Sequence, residues 1–244
     1  MQSPSDLERS ARPALSPYEA ELQRGRIAFE FPATLEREYR KFHLQRILPR
    51  VRGWLWILVA LTVATSIYRL GFQDHFGLNF ETVLRLGVLQ CASVAMLLAA
   101  YHPRHEQLYP GTAAVASALY GVALSVLVMQ VIMEGGAETL SLLTVHTLAT
   151  LFLVGLMFVP ALIVASLILV AFVAAGFAFE LRPTMLAYDT VLVASVIVLG
   201  AYIAYGVQEA DRRLFLERGA LGDLAERDGL TGLRNRRAFD EHLL

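Results

Sequence analysis

Six apolar runs joined by short polar connectors constrain this chain more than any other feature. They are Trp54–Phe72, Phe80–Tyr101, Leu108–Met133, Leu140–Val159, Ala161–Phe179 and Leu186–Val207. At about 1.5 Å per helical residue, each run can cross the roughly 30 Å of hydrocarbon in a bilayer. Lipid offers backbone N–H and C=O groups no partner, so such runs are predicted as helices. The apolar fraction of 56% agrees, since soluble domains hold about half. The expected fold class is all-α: a polytopic membrane protein with six transmembrane helices, then a short cytoplasmic signalling helix. The least defined boundary is at Pro160. A very tight turn there gives two helices; one long kinked helix is the alternative and leaves an odd number of spans.

Charge placement predicts the orientation. Ten basic residues precede Trp54 and seven follow Val207. The connectors 73–79 and 134–139 contain no Lys or Arg, and 180–185 contains only Arg182. Segments rich in Lys and Arg stay in the cytoplasm, so both termini are expected there, with the helices in a cytoplasmic membrane and the lipid bilayer as the first partner. The net charge of −1 points to no nucleic-acid partner. The opening residues are polar and lack the apolar core of a signal peptide.

The chain divides into five expected segments. Residues 1–32 are polar, hold four prolines and read as a disordered cytoplasmic tail. Residues 33–53 form a basic amphipathic lead-in, with Leu35, Tyr39 and Phe42 on one helical face. It lies on the inner leaflet or simply leads into the first span. Residues 54–207 form the six-helix transmembrane domain, 208–227 a linker that could be a coiled coil, and 228–244 the start of a further domain.

Within the membrane part, Cys91 reads as a buried inert thiol. Arg69 and Arg85 are expected to pair with Asp74 and Glu81 near the outer ends of the first two helices. His146 is expected to link helices by hydrogen bonds. A shared metal site with His102 and His105 is excluded by their opposite sides of the bilayer, and no metal ligand set is assigned. Gly111, Ala114, Ala118 and Gly121 permit close packing within the bundle or between subunits.

In the linker, Val207, Leu214 and Leu221 fall seven apart, with Ala210 and Leu224 at the complementary position and Glu217 breaking the pattern. A short parallel coiled coil between two copies fits this spacing; an ordinary amphipathic connector is the alternative. Beyond it, Asp228 and Thr231 have short oxygens suited to a turn. Asn235 suits a helix N-cap before Arg236, and Phe239 and Leu243 share one helical side.

The residues Asp228, Leu230, Thr231, Leu233, Asn235, Arg236, Arg237 and Phe239 match D-x-L-T-x-L-x-N-R-R-x-F at its eight fixed positions. This string resembles the opening of the GGDEF domain of bacterial diguanylate cyclases, which make cyclic di-GMP from two GTP. The resemblance implies a truncated α/β (GGDEF) domain, a homodimer, and GTP and Mg²⁺ as ligands of the complete domain only. It places Leu230 at the border of the guanine pocket. The metal-binding aspartate and the GG[DE]EF turn come later in that family, so no catalytic residue and no cofactor is assigned within these 244 residues, which are not expected to be active alone. The implied function is the membrane input region of a diguanylate cyclase. The alternatives are a non-enzymatic receptor or scaffold and, third, a small transporter. Against the transporter stand the lack of paired interrupted helices and of a carboxylate near mid-bilayer.

Overall fold

The computed structural model describes residues 16–24, 30–72, 79–134 and 140–225. Helices α1 (Pro17–Gln23), α2 (Ala33–Phe72), α3 (Phe80–Tyr101), α4 (His105–Met133), α5 (Leu140–Phe152), α6 (Phe158–Ala178) and α7 (Pro183–Ala225) carry the fold, with no strand among the described residues. The chain forms two compact units.

The larger unit, residues 43–208, is a helical bundle. Helix α4 is its centre and packs against α3, α5 and α6. Its apolar stretch is 61% buried, against 33% for that of α6. The core includes Leu55, Met96, Tyr109, Leu127, Met129, Leu143, Ile168 and Phe172. Large apolar side chains also point outward, among them Trp56, Val115, Ile163, Val170, Phe177 and Val198. Five helices (α2, α3, α4, α6 and α7) are long and apolar enough to cross a membrane. This all-helical architecture is consistent with a polytopic membrane protein.

The fourth apolar run departs from the expected span. Helix α5 has only 13 residues, about 20 Å at the α-helical rise, and ends at Phe152 rather than Val159. The break lies at 153–157, before Pro160 and not at it. Proline has no N–H and its ring crowds the preceding turn, so a helix cannot run through 156–160 undisturbed. The chain opens earlier instead. Pro160 then falls in the first turn of α6, where N–H groups lack intrahelical partners anyway. The Phe158 N–H donates to Gln208 Oε1 at 2.6 Å. Tyr109 donates its hydroxyl to the Val154 carbonyl at 2.5 Å, which satisfies an acceptor freed by the break.

Gly155 makes this connection sterically possible. Its φ is +79°, and an added Cβ would lie 2.7 Å from Val51 Cγ2 and 2.8 Å from Ile47 Cδ1. Gly155→Val is expected to destabilise the bundle by about 2–4 kcal/mol, combining left-handed backbone cost with overpacking. Thermal unfolding of the purified protein in lipid nanodiscs checks this; a midpoint within a degree of the parent contradicts it.

Helix α6 closes with a Schellman motif. Leu181 N–H bonds the Gly176 carbonyl at 3.0 Å and Glu180 N–H bonds the Phe177 carbonyl at 3.1 Å. Glu180, at φ 54°, occupies the left-handed position usually held by glycine.

The smaller unit comprises residues 1–42 and 209–244. Within the tail expected to be disordered, residues 17–23 form α1. Ser16 and Glu19 make a reciprocal capping box, and Pro17 stands at the first helical position. The amphipathic periodicity of the lead-in is real, and its apolar face is covered by protein. Leu35 and Tyr39 are buried against protein, while Arg37, Arg40 and Lys41 are exposed.

One further expectation fails. Cys91 is exposed on the outside of α3 rather than buried. Its helix turns its buried face to α4 through Ala92, Met96 and Ala100, and Cys91 lies off that face. The small-residue row on α4 also divides: Gly111 faces open space, whereas Gly121 is covered by Ile168 and His146.

Candidate functional site

In the larger unit, a group of ionised side chains gathers where α2, α3 and α4 meet. Glu81 Oε1 accepts from Arg69 Nε at 3.1 Å and from Arg85 Nε at 2.8 Å. Arg69 Nη2 also donates to Glu134 Oε2 at 2.9 Å. The side chains of Arg69, Arg85 and Glu81 are 14%, 8% and 7% exposed, while that of Glu134 is 47% exposed. The buried part of the group is thus two guanidiniums on one carboxylate. The expected pairing of both arginines with Glu81 is present; Asp74 lies outside the described residues. Arg85 sits in a π-helical stretch, Val83–Leu89. Such stretches are rare in helices and concentrate at functional sites. Here it brings Arg85 and Leu89 to the buried side together.

His146 lies beside this group and is 3% exposed. Its Nε2 stands 3.1 Å from the Ser117 carbonyl. Its ring stacks on Tyr120 with centroids 4.5 Å apart, and the Tyr120 hydroxyl meets Thr62 Oγ1 at 3.0 Å. The expected helix-linking histidine is found: it joins α5 to α4. Arg85, His146, Tyr120, Thr62, Ser66 and Trp54 all line one cavity.

The smaller unit holds a second constellation, built on Glu36. Its two oxygens accept from Arg212 Nη1 and Nη2 at 3.0 and 3.2 Å. The Phe31 N–H and Arg40 Nε add bonds at 3.0 and 3.3 Å. The Arg212 guanidinium lies over the rings of Phe31 and Tyr39, at 4.6 and 4.4 Å from their centroids. Phe215 packs against Tyr18, Phe31, Tyr39 and Phe42 with centroids 5.4–6.0 Å apart. Burial raises the Glu36 carboxyl, but the Arg212 hydrogen bonds, the Phe31 N–H and Arg40 outweigh it and hold the group below its usual value. Burial and the neighbouring Glu38 push the Tyr18 hydroxyl up to about 12.

Sequence reasoning missed Glu36, Arg212 and Phe215 as a set. A signal existed: Arg212, Phe215, Leu216, Gly219 and Ala220 follow helical spacing on the face opposite the heptad positions. The heptad positions themselves face outward. Val207, Leu221 and Leu224 are 59%, 66% and 59% exposed, Ala210 is exposed, and Leu214 is half-buried.

The candidate domain-opening residues Asp228, Leu230, Thr231, Leu233, Asn235, Arg236, Arg237 and Phe239 lie outside the described residues. So do residues 73–78 and 135–139 of the connectors. Among the described residues, no cluster of three or more His, Cys, Asp or Glu could hold a metal ion. No protein-family model matches this chain, and no curated protein matches it.

Proposed function

We propose that the chain is the membrane input region of a bacterial diguanylate cyclase, acting as a homodimer in the inner membrane. In this reading six helices cross the bilayer, both termini are cytoplasmic, and Asp228–Phe239 opens a GGDEF domain that binds GTP and Mg²⁺ when complete. The short α5 completes the sixth crossing together with the non-helical segment 153–157. The polar lining of that break, satisfied by Tyr109 and Gln208, is the kind of irregular backbone a membrane tolerates when protein covers it.

The observation that carries the reading is the eight-position motif placed directly after a helix with an unpaired apolar stripe. That stripe of Val207, Ala210, Leu214, Leu221 and Leu224 has the heptad spacing of a parallel dimer. The opposite face of the same helix is already filled by the aromatic set around Phe215. A change in helix packing reaches the following domain through the continuous backbone of α7. A coupling of about 1–3 kcal/mol changes output by about 5- to 150-fold.

The test is cyclic di-GMP production by the protein carrying its full downstream domain. Leu214→Asp with Leu221→Asp is expected to lower output at least tenfold and to shift the protein from dimer to monomer in nanodiscs. Unchanged output and unchanged oligomeric state would reject the linker role. A complete downstream domain that binds no GTP would reject the cyclase reading and favour a non-enzymatic receptor.

A further inference from the structure

The end of the larger unit opposite the Glu81 group is tied together by bonds between helices. Arg52 on α2 donates Nε and Nη2 to the Ala100 carbonyl of α3 at 3.2 and 2.9 Å. Gln45 donates to Glu106 of α4 at 3.2 Å. Gly155 lies against Val51 and Ile47 there. The uncharged lengths of α2 and α3 set the depth of this end. Residues 53–68 of α2 and 86–101 of α3 hold no Asp, Glu, Lys, Arg or His. Each stretch is about 24 Å long, close to the roughly 30 Å of hydrocarbon in a bilayer. Arg69 and Arg85, joined through Glu81, close one end. Arg52, His102 and Arg104 close the other, which a surrounding bilayer places at the level of its headgroups.

Charge at this end has one sign in excess. Residues 43–60 contain Arg46, Arg50 and Arg52 and no acid. Residues 98–112 contain Arg104 and a single acid, Glu106. Residues 149–165 and 195–208, which complete this end, contain no Asp, Glu, Lys or Arg. Four arginines therefore stand against one carboxylate, and the excess remains even with Glu106 fully paired. The Ala100 carbonyl orients the Arg52 guanidinium without neutralising it, and among the described residues no carboxylate pairs with Arg52.

Donors gather at Tyr101, the last residue of α3. The Arg52 guanidinium stands 4.5 Å from the centre of its ring. Trp56 Nε1 donates to the Tyr101 hydroxyl at 3.3 Å, which leaves the hydroxyl's own proton for another acceptor. His102 Nδ1 accepts the Arg104 N–H at 3.0 Å, so in the neutral ring Nε2 carries the proton. Trp56, Tyr101, His102 and Arg104 are all exposed. Exposed Ile57 and Leu98 continue the surface toward the hydrocarbon. Trp and Tyr favour this level of a membrane.

We propose that this end of the bundle binds an anionic phospholipid. Arg52 and Arg104 hold its phosphate, Tyr101 and His102 add donors, and its acyl chain lies along Trp56 and Ile57. A free phosphate would use the donors and leave the adjoining apolar surface bare; a lipid uses both. This inference rests on a bilayer around the larger unit and is independent of the cyclase reading.

Trp54 and Trp56 are the only tryptophans, so Trp54→Phe makes Trp56 a single reporter. The full chain carrying that change is reconstituted in phosphatidylcholine vesicles with one acyl-brominated lipid, either phosphatidylglycerol or phosphatidylcholine. Bromine quenches a tryptophan that it touches, so the two quenching curves give the relative affinity of the two lipids at Trp56. A preference for phosphatidylglycerol of at least about threefold is expected from the nearby arginines. Arg52→Gln is expected to bring the ratio close to one. Should that variant fail to fold, Arg104→Gln, at an exposed position, is expected to lower the ratio at least about twofold. Tyr68→Trp, in protein with both native tryptophans changed to Phe, reports on the opposite end and is expected to show no preference. Excess inorganic phosphate at constant ionic strength should leave the ratio at Trp56 unchanged; its collapse would make free phosphate the ligand and overturn the lipid proposal. Equal quenching by the two lipids at Trp56, an equal preference at both reporters, or the parental ratio in both arginine variants would overturn the site and leave the membrane reading standing. No quenching at either reporter would overturn the membrane reading and the site with it.

Discussion

Arg212→Ala is expected to destabilise the smaller unit by about 3–5 kcal/mol, the range for removing one partner of a buried ion pair. Arg212 is 3% exposed. It is the bidentate partner of Glu36 and also fills the space between Phe31 and Tyr39. Its loss leaves Glu36 with Arg40, whose side chain is largely solvated, and the Phe31 N–H. Arg212→Lys is expected to recover little, since an ammonium supplies neither the fork nor the flat face. Hydrogen exchange over residues 30–42 and 209–225 reads the effect. Protection equal to that of the parent would show that the aromatic packing holds the unit without the ion pair. The same pair sets a pH dependence. Glu36 is held below its ordinary value of 4.5. Its contribution is therefore full above that value and lost as pH falls through the lower folded value. Acid should loosen this unit in the parent protein and have a much smaller effect in Glu36→Gln.

Glu81→Leu is the second large effect, again about 3–5 kcal/mol, and it acts on the membrane bundle. Glu81 is the only carboxylate contacting Arg85 among the described residues, and it shares the same oxygen with Arg69. Without it Arg85 becomes a buried, uncompensated charge, while Arg69 keeps Glu134. Glu134→Gln provides the comparison. Its side chain is half exposed, and an ion pair of that kind is worth at most about 1 kcal/mol. Thermal unfolding of both variants in nanodiscs should separate them clearly. Equal midpoints would mean that Glu81 is as well solvated as Glu134, and the description of a buried charge group would fail.

Several features were legible from residue order alone. The apolar runs announced the helices, because hydropathy over about twenty residues needs no tertiary partner to be meaningful. Arg69, Arg85 and Glu81 were readable as a pairing, since unpaired charges are costly at that depth. His146 was readable as a helix link for the same reason. The period of Leu35, Tyr39 and Phe42 identified a face, but not what covers it. Lipid and an aromatic cluster satisfy the same periodicity, and only the position of Phe215, distant in sequence, distinguishes them. The fourth run was misjudged because apolar composition continues through 153–157 without a polar marker. Pro160 was visible, but its consequence falls upstream, on the turn whose hydrogen bond it cannot make.

The sequence by itself determined that this chain is helical, apolar enough for a membrane, and carries most of its Lys and Arg in its two end segments. Those properties follow from side-chain transfer energies and charge counts, which are sums over local stretches. Tertiary structure alone decided which face of each helix is shared. It brought Glu36 to Arg212 across 176 residues and His146 to Ser117 across 29. It also collected Arg85, Trp54 and His146 around one cavity. Such meetings depend on how whole helices pack, and packing energy belongs to pairs of surfaces rather than to any single segment.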